Sequence, residues 1–274
     1  MENAKTNTLG PRLAVGFGLG GIFLLSLFSP YLFVGLVSVA TALAGYELSE
    51  ALKRGGWHVP KYLVGLAGFL VPWAAFFFGS FAQWLSVLVI SASMVIWRAI
   101  YLIVRKESQS LKQTLRDFGA SNWALFYVPL LMSFAALLIN EPNGTAWVFG
   151  LVITVASIDT FGYLIGRFFG RTKLSPLISP KKTWEGLFAS ILGGLFGGLI
   201  TALVTGASIW FGLLFGAAIL ISSVMGDLSE SLIKRDLEVK DMSSLLPGHG
   251  GMMDRLDSLL PSTFVAYLLA QVMF

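Results

Sequence analysis

Near the end of the chain, PGHGGMMDRLDS places His249 among glycines and follows it with Asp254, Arg255 and Asp257. Pro247, Gly250 and Gly251 set a backbone that can take unusual dihedrals and approach a ligand closely. Asp254 and Asp257, spaced i, i+3, would share one face of a helix restarting there. Just upstream, Asp227 in SSVMGDLSESLIKR shares a helical face with Glu230 and Ser231, and Lys234, Arg235, Lys240 and Asp241 follow. A second polar stretch, RFFGRTKLSPLISPKKTWEG, holds Arg167, Arg171, Lys173, Lys181 and Lys182, with Asp159 a little before it. Carboxylates gathered with lysine, arginine and glycine-rich backbone suit a polyphosphate. Mg²⁺ takes one or two carboxylates plus phosphate oxygens, and fixed cations neutralise the charge that develops as a phosphoryl group transfers. The expectation is a metal-assisted phosphate site, with Lys181 and Lys182 as candidate phosphate contacts.

The elements that must position these residues are apolar. Of 274 residues, 55% are hydrophobic and 12% charged, with a mean hydropathy of +0.77, which marks a polytopic integral membrane protein of the all-α class. A helix crossing the hydrocarbon needs roughly 20 mostly apolar residues. Nine such runs can be traced, approximately 13–28, 31–48, 62–79, 83–104, 123–139, 146–168, 184–204, 209–233 and 256–274. Of the 19 Lys and Arg residues, 17 fall at the N-terminus or on the connections after the second, fourth, sixth and eighth runs, and the other two, Arg98 and Arg167, lie just inside the ends of the fourth and sixth runs on the same side. By the positive-inside rule the N-terminus and the polar stretches are cytoplasmic. The first run is read as a retained span rather than a cleaved signal, and no soluble domain is expected. Arg98, just inside the fourth run, is expected to snorkel, His58 to be solvated, and residues 105–122 to form an interfacial amphipathic helix.

Intramembrane acids cost roughly 2.5 to 3.5 kcal/mol at a helix centre, so each asks for a reason. Asp159 and Asp227 are the two that stand out. Other features fit ordinary packing. Gly16, Gly18 and Gly21 have dinucleotide-fingerprint spacing but lie within a span, where small residues let helices approach. With no Cys there is no thiolate nucleophile, disulfide or Cys zinc site. Basic and aromatic residues are not interleaved, so no nucleic-acid partner is expected.

At this point the residues become recognisable. SLIKRDLEVKDMSSLLPGHGGMMDRLD, from Ser231 to Asp257, resembles the signature of the phosphatidate cytidylyltransferases (CDP-diacylglycerol synthases), at the family's spacing without a gap. SIDTFGYLIGRFFGRTKLSPLISPKKTWEG, including Asp159, Gly162, Tyr163, Gly166, Arg167, Lys181 and Lys182, is similar to that family's second recurrent stretch. Met242 and Ser243 stand where many members have Ser and Gly, which alters no charged position. The resemblance implies joining CTP and phosphatidic acid into CDP-diacylglycerol and pyrophosphate. It implies a divalent metal, Mg²⁺ or Mn²⁺, on Asp227, Asp254 and Asp257, with Asp254 the firmest, and assistance from a monovalent cation such as K⁺. Lys234, Arg235, Lys240 and Arg255 would then meet phosphates, His249 would donate to a phosphate or fix its loop, and Gly250, Gly251 and Asp159 would line the substrate site. Residues 1–145 would be scaffold helices with a potential oligomer contact, including a homodimer, and 146–274 the catalytic region. The setting would be the inner (cytoplasmic) membrane of the cell, with the site facing the cytoplasm and the bilayer as a partner. Two alternatives stand beside this: another CTP-using membrane lipid phosphotransferase or kinase, and an ion-coupled secondary transporter using Asp159 and Asp227.

Overall fold

The structure, a computed structural model, describes residues 9–105, 110–246 and 250–273. It is helical apart from one small hairpin. In chain order the elements are α1 (Leu9–Ser26), α2 (Pro30–Arg54), α3 (Lys61–Arg105), α4 (Leu111–Leu125), a π-helical turn (Phe126–Leu130), α5 (Leu131–Leu138) and α6 (Gly144–Phe169). Then follow β1 (Lys173–Ser175), β2 (Ser179–Thr183), α7 (Trp184–Thr205), α8 (Ile209–Asp236), α9 (Met253–Leu256) and α10 (Leu259–Met273). Among the described residues, seven helical stretches are long and apolar enough to cross a membrane. The all-α polytopic reading holds.

Two of the expected runs, 62–79 and 83–104, are merged in α3. At about 1.5 Å per residue its 45 residues would reach about 67 Å, more than twice the roughly 30 Å of hydrocarbon. Gly79 divides it, at φ 75° and ψ −167°, a backbone conformation open only to glycine. The expected interfacial helix at 105–122 is corrected. Residues from Leu111 do form a helix, but it runs on through the π-turn to make one apolar stretch, Leu111–Leu138, with Asp117 and Ser121 buried.

The packing devices follow from sequence. Ser110, Thr183 and Ser208 each stand before a helix and accept a hydrogen bond from an N–H in its first turn, at 3.3, 3.2 and 3.2 Å. The glycine pairs of GGLFGG are packing positions: Gly193 and Gly197 lie against the backbone of α6 at Ser157 and Thr154, and Gly194 and Gly198 against Gly216 and Gly212 of α8. Polar pairs tie helices across the apolar interior. Gln83 donates to Ser133 (2.7 Å), Thr263 donates to the Leu131 carbonyl (2.6 Å), and the hydroxyls of Ser222 and Ser262 are 2.9 Å apart. The core is formed largely by α2, α3, α5, α8 and α10 around Val34, Leu48, Val71, Leu138, Phe215 and Leu260.

Candidate active site

Four elements end or begin at one pole of the bundle: α6 and α8 finish there, and α7 and α9 start. The hairpin hangs from the same pole. β1 pairs antiparallel with β2, Lys173 opposite Thr183 and Ser175 opposite Ser179. Glu185 accepts the Thr172 N–H at 3.1 Å, and Arg235 donates its Nε–H to the Ile178 carbonyl at the turn, 3.1 Å away. Close approach of α6 and α7 depends on Gly162 and Gly166, which pack onto Ser190 and Gly186, and Ser190 donates to the Ile158 carbonyl at 2.9 Å.

Between these elements lies a cavity of about 660 Å³. Asp159 from α6, Asp227 from α8 and Asp254 and Asp257 from around α9 border it, together with Arg167, Lys173, Lys181, Lys182 and Arg255. Two distant sequence blocks thus meet in one chamber lined by both acids and cations. The carboxylates of Asp159, Asp227 and Asp257 line the same cavity. Lys182 forms an ion pair with Asp227, whose other oxygen accepts from Ser231 at 3.3 Å. Asp257 accepts the N–H of Ser258 at 2.7 Å.

Asp254 is arranged differently. Its Oδ1 accepts from Lys234 Nζ at 2.9 Å, and its Oδ2 accepts the N–H groups of Gly251 at 2.7 Å and Met242 at 3.0 Å. Gly250 sits at φ +78°, and a Cβ there would stand 2.8 Å from Asp254 Oδ2. Asp254 therefore organises the glycine loop with both oxygens engaged. Among the described residues no three acids, histidines or cysteines are grouped closely enough to hold a metal ion. The expected cluster of Asp227, Asp254 and Asp257 is corrected to that extent: all three border the cavity, but Asp254 is spent on its own loop. Asp227 and Asp257, hard oxygen donors lining the cavity, fit Mg²⁺, which needs only one or two carboxylates beside phosphate oxygens.

The other expected residues divide as well. Lys181, Lys182 and Arg255 reach the cavity. Lys234 instead bridges Asp254 and the fully buried Glu230, and Arg235 clamps the hairpin turn. Lys240 is exposed away from the cavity, and Gly250 and Gly251 shape the loop rather than lining the chamber. His249 lies outside the described residues.

Sequence reasoning named Glu230 and Lys173 without giving them a role, and passed over Glu47. Glu230 was visible one turn from Asp227, and its pairing with Lys234 is the i, i+4 arrangement that spacing suggests. Lys173 borders the cavity from β1. Glu47, an isolated acid near the end of an apolar run, contacts the same glycine loop from α2. The rule that made Asp159 conspicuous applies to it equally.

The model of the cytidylyltransferase family matches residues 11–273. The chain belongs to that family. Relatives carrying the name phosphatidate cytidylyltransferase include the Mycobacterium tuberculosis (strain H37Rv) protein, 35% identical over 271 residues, 95% of this chain and 81% of the relative. The Thermotoga maritima protein is 32% identical over 247 residues, 88% of each chain, and that of Pseudomonas aeruginosa 32% over 268 residues, 93% of this chain and 92% of the relative. The match spans scaffold and site alike, so the cytidylyltransferase family character extends to the helices before Gly144, which sequence reading had treated as generic.

Proposed function

We propose that this family member transfers the cytidylyl group of CTP to phosphatidic acid, giving CDP-diacylglycerol and pyrophosphate for phospholipid synthesis. The observation that carries it is the chamber itself: Asp159, Asp227 and Asp257 line one cavity with Lys173, Lys181, Lys182 and Arg255 at the polar pole of an otherwise apolar bundle. Two acyl chains keep one substrate in the bilayer while the other arrives from water, so the reaction needs a site that meets both.

In the reaction a phosphate oxygen of the lipid attacks the α-phosphorus of CTP. A new P–O bond forms, the bond from the α-phosphorus to the oxygen bridging to the β-phosphorus breaks, and pyrophosphate leaves with that electron pair. The nucleophile is already anionic, so position and charge neutralisation matter more than a general base. Lys181, Lys182 and Arg255 supply cations at the chamber wall, and Lys173 and Arg167 extend them along α6 and the hairpin. Lys182, paired with Asp227 at the chamber wall, is placed to share its charge with a bound triphosphate. Asp227 and Asp257 would hold Mg²⁺ or Mn²⁺, which when bound neutralises phosphate charge. K⁺ is retained as the proposed monovalent cation, to be read by exchanging it for choline.

Nine crossings, with α3 counted twice at Gly79 and α1 as one, put all the Lys and Arg connections on one side. By the positive-inside rule that side is the cytoplasm, where CTP resides. Residues 146–274 then carry the reaction and 1–145 the scaffold, with a homodimer as the proposed assembly, testable by crosslinking in membranes. The deciding assay is reconstitution with labelled CTP and phosphatidic acid. A CDP-lipid formed with release of pyrophosphate is expected. A phosphorylated lipid with CDP would instead indicate a CTP-dependent kinase and contradict the proposal.

A further inference from the structure

The glycine loop of the site is held by two acids, one on each side. Asp254 Oδ2 gathers the N–H groups of Met242 and Gly251, from the two limbs of the loop. Glu47, about two hundred residues earlier in sequence, also joins the two limbs, one position further along the first and two along the second. Its Oε1 accepts the Ser243 hydroxyl at 2.6 Å, and its Oε2 accepts the Met253 N–H at 2.9 Å. Gly251 lies so close to Oε2 that a Cβ would collide with the carboxylate. Met253 opens α9, the turn that presents Asp254, Arg255 and Asp257.

Glu47 is 6% exposed on α2, flanked by the buried Ala44, Leu48 and Ala51. Among the described residues it forms no ion pair, so its charge is satisfied by an O–H and a backbone N–H alone. A buried acid of that kind is a poor way to gain stability, because an apolar side chain would fill the position without desolvating a charge. It is a good way to fix geometry, since two directional bonds lock both limbs of the loop to a helix that contributes nothing to the cavity wall.

We propose that Glu47 is a positioning residue of the transfer reaction: anchored on the scaffold, it sets the register of α9 and so the placement of Asp257 and Arg255 in the chamber. The inference rests on the transfer reading above. It also gives the helices before Gly144 a specific part in the chemistry. Glu47 touches no cavity-lining group directly, so its loss should act on turnover rather than on affinity for CTP.

The test compares the full-length enzyme with Glu47→Ala, Glu47→Gln and Ser243→Ala, each reconstituted in lipid. Glu47→Ala should lower kcat about a hundredfold with KM for CTP nearly unchanged, since a misplacement of about 1 Å can cost that much. Glu47→Gln keeps an acceptor for the Met253 N–H and a group able to pair with the Ser243 hydroxyl, so it should recover most of the rate. Ser243→Ala removes one bond of the clasp and should give a smaller, several-fold loss. It also keeps the test decisive if Glu47→Ala does not fold. Amide hydrogen exchange supplies the second readout: segments covering 250–257 should exchange faster in Glu47→Ala and at the wild-type rate in Glu47→Gln. Wild-type kcat in Glu47→Ala, or unchanged exchange at 250–257, or a Gln variant as slow as the Ala variant, would overturn the proposal. If the wild-type protein made no CDP-lipid, the transfer reading itself would fall, and the exchange measurement would still decide the clasp.

Discussion

Asp117 and the acids of the chamber are all carboxylates within helical stretches of one apolar bundle, yet they are treated in opposite ways. Asp117, on α4, is 1% exposed and surrounded by donors. Arg98 Nη2 lies 2.6 Å from its Oδ2, His58 Nδ1 3.3 Å from the same oxygen, and the His58 N–H donates to Oδ1 at 3.1 Å. Arg98 therefore does not snorkel as its position suggested, and His58, expected to be solvated, bonds the same acid while its side chain stays partly exposed. In the chamber, at the same end of the bundle, Asp159, Asp227 and Asp257 border open space, with Asp227 paired, among the described residues, only to the cavity-lining Lys182 and to Ser231. The contrast separates two uses of an expensive residue. An acid whose partners are all buried with it serves the fold, while acids that border a cavity beside cavity-lining cations such as Lys182 are placed for a cation and a phosphate that come from outside.

That contrast can be broken most forcefully at the chamber. Asp257→Asn should reduce CDP-lipid formation by about a hundred- to a thousandfold, the range for removing one preorganised electrostatic group, while the thermal midpoint in detergent stays level or rises because a half-buried charge without an ion-pair partner among the described residues is removed. A coincident loss of stability would place Asp257 with Asp117 instead. Asp117→Ala should show the reverse. Leaving Arg98 buried without its carboxylate should cost about 3–5 kcal/mol by denaturant or thermal unfolding, with turnover per folded molecule retained. At the cationic wall, Arg255→Gln should raise KM for CTP about tenfold, as expected for one lost charge-assisted hydrogen bond. The smallest effect belongs to Lys240→Ala. Exposed and away from the chamber, it should leave rate and affinity within about twofold, although its place in the sequence block gave it equal standing with Arg255.

The legible part of this molecule was the part written in composition and local spacing. Apolar runs gave the helices, and the one-sided placement of Lys and Arg agrees with both polar blocks meeting at one pole. What spacing could not reveal is which oxygen is already engaged. Asp254 and Asp257 look equivalent at i, i+3, but the loop folds back so that two backbone N–H groups and Lys234 use up the first and leave the second to the chamber. Lys234 and Arg235 read as phosphate ligands because they are basic and adjacent to the acids. In three dimensions one neutralises Glu230 and Asp254 and the other holds the hairpin turn. The hairpin escaped notice because its strands are only 3 and 5 residues long and carry no apolar alternation. Glu47 was missed for a different reason: its partners lie at the far end of the sequence, and a lone acid at the end of a span resembles a topology residue until its contacts are seen.

The central claim is that the open acids at the chamber, not the satisfied acid at Asp117, hold the divalent ion against the nucleotide. The most direct measurement is Mn²⁺ binding in the presence of CTP, followed by electron paramagnetic resonance on the reconstituted wild type, the Asp227→Asn/Asp257→Asn double variant and Asp117→Asn. The wild type and Asp117→Asn should bind the ion with the nucleotide, and the double variant should lose that signal. Undiminished binding by the double variant would contradict the account.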